Sequence, residues 1–141
     1  MRDFNAVIIS LHPQHANKIL SGEKKIEFRR VWSKKSISTV VIYSTVPIKR
    51  IVAIAKVKKV HLGSPTSLWK LSKSIGGGLS RKNLYDYFFG KKIGYAIEFR
   101  SVLSNSKYIS PSKVIKNFHA PQSFSYLDKD TIDRITKHFE K

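Results

Sequence analysis

The chain has no cysteine and a single methionine. Without thiols it can build neither a disulfide framework nor a thiolate zinc site, which suits a cytoplasmic protein. It has no apolar run near the ~18 residues of a membrane span, and Met1-Arg2-Asp3-Phe4 opens without the apolar stretch of a secretory leader. A cytoplasmic location is therefore expected. Acids are scarce: nine Asp and Glu stand against 27 Lys and Arg, a formal net charge of +18 over 141 residues. None falls between Phe28 and Tyr85. Paired carboxylates for acid–base chemistry, and carboxylate cages for divalent ions, have no material in the central chain. His12 and His15 stand three apart, but His61, His119 and His138 lack a spacing that completes a metal site. Neither a metal nor another cofactor is expected. Gly76-Gly77-Gly78 lacks the lysine–serine continuation of a phosphate loop and reads as a flexible lid or linker.

What is present is positive charge. The acid-free stretch carries Arg29, Arg30, Lys34, Lys35, Lys49, Arg50, Lys56, Lys58, Lys59, Lys70, Lys73, Arg81 and Lys82. Such a field is relieved by a polyanion, because each neutralised phosphate releases condensed counterions. Nucleic acid is the leading partner, with RNA, single-stranded or carrying a modified base, ahead of DNA. No stretch joins a basic face to a strongly apolar one, which argues against a membrane surface.

A 41% apolar content supports a packed core, and the length suits one domain over residues 1–141. Ala6 to Leu11 reads as a buried strand. His12-Pro13 opens a helix, and Gly22 closes it in a left-handed cap. Thr39 to Ser44 is a second apolar strand. Beyond Pro47, Ile51, Ala53, Ala55 and Val57 share one strand face and Lys56 and Lys58 the other, as in a sheet packed on one side only. Ser64-Pro65 and Ser80 start two helices, and a strand through Ile93, Tyr95, Ile97 and Phe99 follows, with Glu98 solvated on its outer face. Residues 120–124 are extended around Pro121, and Asp130 caps a terminal helix over 130–140.

Gly22-Glu23-Lys24-Lys25-Ile26-Glu27-Phe28-Arg29-Arg30 concentrates the chemistry. If Ile26 and Phe28 face the core, Lys25, Glu27 and Arg29 face away from it. Glu27 then orients Arg29 and leaves other donors for a phosphate or a base edge. On this alternation, Glu27→Gln weakens recognition without unfolding the domain. Lys24 is a phosphate donor, or a catalytic base if burial and the neighbouring Lys25, Arg29 and Arg30 depress its pKa. Trp32, Tyr43 and Tyr126 are candidate stacking platforms, worth ~1–3 kcal/mol per base. Trp32 is the best exposed of them, since its neighbours are polar and basic. Ser44, Gln122 and Ser123 offer hydrogen bonds beside them.

Five features occur together: Ser10-Leu11-His12-Pro13, Gly22-x-Lys24-x-x-Glu27-x-Arg29-Arg30, Val41-Ile42-Tyr43-Ser44-Thr45, Leu79-Ser80 through Tyr87-Phe88-x-Gly90 with Tyr95-Ala96-Ile97, and Ala120-Pro121-Gln122-Ser123-Phe124-x-Tyr126-Leu127. Over residues 5–127 the chain resembles an ASCH domain of the PUA-like superfamily. The resemblance implies an α+β fold: a small, mainly antiparallel β-barrel flanked by helices, with a cleft beside the first helix and the glycine–lysine strand. It implies RNA-related roles and places Gln122, Ser123 and Tyr126 across that cleft. Some members are similar to modified-cytidine amidohydrolases, and one branch cleaves single-stranded RNA. In the amidohydrolase branch a threonine follows three positions after the lysine, where this chain has Glu27. That branch's supporting glutamate would fall within residues 62–85, which hold no acid. The expected function is RNA binding through the basic cleft. The alternative is a metal-independent enzyme on single-stranded RNA or a modified nucleoside, using Lys24, and a weaker third option is a sensor of a small anion.

Overall fold

The computed structural model describes residues 5–141; residues 1–4, on which the expectation about a secretory leader rested, lie outside the described residues. The two β-branched apolar runs form β1 (Ala6–Leu11) and β3 (Thr39–Ser44), paired in parallel from Ala6 on Thr39 to Leu11 on Ser44. Between them run α1 (Pro13–Ser21) and β2 (Ile26–Arg29). A six-stranded sheet, ordered β2-β5-β4-β3-β1-β6, is completed by β4 (Arg50–Gly63), β5 (Gly94–Leu103) and the two-residue β6 (Ser125–Tyr126). Helices α2 (Pro65–Ile75) and α3 (Arg81–Tyr87) separate β4 from β5 in the chain, and α4 (Lys129–Glu140) ends it. All pairs except β1–β3 are antiparallel. The result is an α+β fold, a mainly antiparallel half-barrel sheet with β2 and β6 at its edges.

The expectation of one packed and one exposed sheet face is overturned. Every residue of β3 is buried: Val40 and Ile42 join the apolar layer beneath α1, while Val41 and Tyr43 join Ile135 and Phe139 of α4 on the opposite face. Helices cover both faces, so alternation sorts residues between two cores rather than between core and water. The shared face expected for Ile51, Ala53 and Ala55 is also broken. Ile42 pairs with Ala53 but Tyr43 pairs with Ile51, so Val52 is an extra residue. That bulge sends Ile51 to the α4 side and Ala53 and Ala55 to the α1 side. Beyond Ala55 the strand is less enclosed, and Lys56, Lys58 and Lys59 are exposed while Val57 and Val60 still pack against the core.

Ser64 and Ser80 cap α2 and α3 by accepting from the backbone N–H groups of Ser67 and Asn83. The cap of α4 is Asp128, which accepts from Thr131 N–H at 2.8 Å; Asp130, expected in that role, lies within the first turn. Among the described residues no helix is long and apolar enough to cross a membrane.

Candidate functional site

Gly22, at φ 85°, ends α1 in a left-handed turn that side-chain-bearing residues adopt only with strain. The reversal is pinned by Lys24 N–H on the Lys18 carbonyl (3.0 Å) and Lys25 N–H on the Gly76 carbonyl (2.7 Å). The chain enters β2, whose Ile26 and Phe28 pack with Leu68, Leu84 and Phe88 from the α2–α3 insertion. The other face of β2 does not meet solvent. Glu27 and Arg29 are 5% and 9% exposed, because that face is turned toward α1.

The consequence is a buried ion triad. Lys24 Nζ lies 3.1 Å from Glu27 Oε1, and Arg29 Nε lies 3.3 Å from Glu27 Oε2. The Arg29 Nε–H is not aimed at that oxygen, so this contact is coulombic rather than a hydrogen bond. Arg29 Nη2 donates to the Ser10 carbonyl at 3.3 Å, fastening β2 to β1. The nearest charge given to the Lys24 ammonium is thus a carboxylate, not the cluster of cations that the base role invoked. Two cations and one carboxylate leave the triad positive.

These three side chains form one wall of a cleft of about 580 Å³. His12, Gln14 and His15 line it from α1, and Leu79, Asn83, Asp86 and Tyr87 from the insertion. His15 Nδ1 is buried without a hydrogen-bond partner. Burial, and secondly the Lys24 charge, lower the His15 pKa from its ordinary value of 6.5, so the ring is neutral at pH 7. The glycine run is not a free lid. A Cβ on Gly77 would lie 1.9 Å from Ser72 Oγ and 2.9 Å from the Phe28 ring, and the Gly78 carbonyl accepts from Lys18 Nζ at 3.1 Å. Glycine is needed there because the loop lies directly against the β2 side chains.

Comparison with known proteins agrees with this architecture. An ASCH domain-containing ribonuclease of Zymomonas mobilis is 29% identical over 140 residues, spanning 94% of this chain and 91% of that protein. The crystal structure of ASCH from Zymomonas mobilis matches with a TM-score of 0.84 at 28% identity, over 96% of both chains. The chain is similar to ASCH domains over nearly its whole length. A serine-to-alanine mutant of the Zymomonas protein matches this chain with a TM-score of 0.85 at 27% identity, over 98% of this chain and 99% of that one. No family model matches the sequence.

Of the residues picked from the sequence, the cleft unites Lys24, Glu27 and Arg29. Lys25 is exposed beside a shallow hollow shared with Phe99 and Arg100. The Arg30 guanidinium donates to the Tyr87 and Phe89 carbonyls at 2.8 and 2.9 Å, tying β2 to the end of α3. Trp32 is not an exposed platform. It is 6% exposed and packs on Phe124 at 5.5 Å, because its loop folds back and buries Trp32 and Ile37 while the lysines point outward. Tyr43 is buried against Phe118 at 4.9 Å, and Ser44 is buried beside it. Gln122 is exposed, Ser123 is half-buried, and Tyr126 pairs its hydroxyl with Ser33 Oγ at 2.7 Å beneath Lys35; these three do not line the cleft. Glu98 is not simply solvated: its bond with His61 (2.9 Å), and then Lys58, hold its carboxyl below the usual range.

Sequence reasoning missed Asn83, Asp86 and Tyr87, and weighed His12 and His15 only as metal ligands. The signal for the first three was present: they stand at i, i+3 and i+4 on one helix and form its polar stripe.

Proposed function

We propose that this protein binds RNA, as single strand, in the cleft between α1, β2 and α3. The observation that supports it best is the Lys24–Glu27–Arg29 triad. A buried ion triad is a costly way to fill space, since apolar side chains of similar volume do so at no desolvation penalty. Set into the wall of an open cleft, it presents cations whose geometry is fixed before the ligand arrives. The net charge of +18 supplies the long-range attraction. DNA and a modified nucleoside are the competing ligands. A cytoplasmic location belongs to the same reading.

Cleavage of the bound RNA is a second reading, favoured by the neutral, unpartnered His15 ring and by the ribonuclease name of the Zymomonas relative. His15 would take the 2′-hydroxyl proton as that oxygen attacks the adjacent phosphorus. The 5′-oxygen would leave with a proton from His12 or water, and Lys24 and Arg29 would stabilise the charge gained at phosphorus. Lys24 is then an electrostatic donor rather than the base.

The test is binding of labelled single-stranded RNA, duplex RNA and DNA across salt, with cleavage followed in the same samples. A protein making six or more phosphate contacts should lose ~10³-fold or more in affinity between about 50 and 200 mM salt. Lys24→Met should weaken single-stranded RNA binding most. A flat salt response, or no binding to any nucleic acid at low salt, refutes the reading.

A further inference from the structure

A second groove, of about 680 Å³, opens between the loop at residues 33–38 and the second half of β4. Lys34 and Lys35 stand on one bank, Lys58 and Lys59 on the other, and among the described residues no carboxylate lines it. Two consecutive lysines on one bank is a result plain strand alternation forbids. It follows from the register shift between Val57 and Lys59, where Lys58 is the extra residue of a bulge. The groove also has an apolar floor, formed by Trp32, Tyr95 and Leu62, the last 64% exposed. Among the described residues the Trp32 Nε1–H is a buried donor without a partner. A buried donor of this kind calls for an acceptor from a ligand or from water.

The groove and the cleft lie on the same side of the sheet. Arg29 pairs directly with Tyr95 across β2 and β5, and Tyr95 with Leu62 across β5 and β4. Directly paired residues project from one face, so Arg29 in the cleft and Tyr95 and Leu62 in the groove form a single row. At a strand spacing of about 4.8 Å, that row spans about 10 Å.

We propose that this groove is a second subsite for single-stranded RNA, gripping the backbone of the nucleotides adjacent to those held in the cleft. The proposal rests on the RNA-binding reading of the cleft. Lysines on both banks suit phosphates, and the apolar floor suits unstacked bases, which a duplex keeps inside its own stack. An acidic peptide or an anionic lipid surface offers the charge without flat apolar groups to lay on that floor.

The test uses the full chain carrying Lys34→Ala and Lys59→Ala together, since both side chains are exposed and neither lines the cleft. The probes are a uridine trinucleotide, short enough for the cleft alone, and an oligouridylate of about 12 nucleotides. The double variant should bind the trinucleotide as the parent does. On the long strand it should lose about tenfold in affinity, and its log–log salt slope should fall by about 1.4, the value for two phosphate contacts on a single strand. Unchanged affinity and slope on the long strand overturn the proposal. So does an equal loss on both probes, which means that the lysines act only as a diffuse field. Binding of phosphatidylserine vesicles or polyglutamate in preference to the long RNA overturns it too. Lys24→Met separates the two sites: if it leaves trinucleotide binding intact, the cleft reading fails, while a selective loss in the double variant still upholds the groove.

Discussion

Glu27→Gln is the sharpest perturbation the structure offers, because sequence alternation and tertiary packing give opposite expectations for it. On alternation alone the residue faces outward, and the change spares the fold. In the structure the Glu27 side chain is 7% exposed and is the carboxylate within reach of both Lys24, 3% exposed, and Arg29, 11% exposed. An amide of the same shape keeps one acceptor oxygen but removes the charge, leaving two cations enclosed without a counter-ion. Breaking a buried pair by removing one partner costs ~3–5 kcal/mol. For a chain of this size that lowers Tm by roughly 10–15 °C. The assay is thermal and urea unfolding followed by circular dichroism, at constant pH and salt. A companion variant isolates the cause: adding Lys24→Met to Glu27→Gln removes one stranded cation, so the double variant should be more stable than the sum of the two single losses predicts, by ~0.5–3 kcal/mol. A Glu27→Gln protein that melts within about 2 °C of the parent, or a strictly additive double variant, refutes the buried-triad account.

Gly77→Ala should destabilise by ~1–3 kcal/mol in the same unfolding assay, because its methyl group meets Ser72 Oγ and the Phe28 ring in a packed loop; a neutral outcome would restore the flexible-linker reading. Phe28→Ala should cost ~3–5 kcal/mol, since the ring is 3% exposed and packs edge-on to Phe88 at 6.2 Å. The His15 ring should titrate below 6.5 by NMR, and Lys24→Met should move its midpoint upward by removing a positive neighbour. With the folded pKa depressed, the unfolded chain binds more protons as pH falls through 6.5. His15 therefore favours the folded state above that pH and less so below it, and His15→Gln should flatten the fall in Tm between pH 7.5 and pH 5.5.

Local signals in the chain were enough for its elements and for where the charge resides. The β-branched runs at Ala6–Leu11 and Thr39–Ser44 form the strands they encode, and Pro13, Gly22, Ser64 and Ser80 start or stop helices where capping chemistry requires. The grouping of Lys24, Glu27 and Arg29 was legible too, because their spacing holds within one turn and one strand. What surrounds a residue was not legible. Alternation says that Glu27 and Phe28 point opposite ways, but whether the second direction leads to water depends on how α1, Ser10 of β1 and Tyr87 of α3 close around it, which strand periodicity does not encode. Trp32 was misread for the same reason: its polar neighbours face outward while the indole turns in against Phe124, 92 positions later. The bulges at Val52 and Lys58, which reassign faces along β4, arise from pairing with β3 and β5 and leave no mark in β4's own sequence. Periodicity is set by each residue's own backbone, whereas burial, and with it the cost of a charge, is set by which remote element covers it.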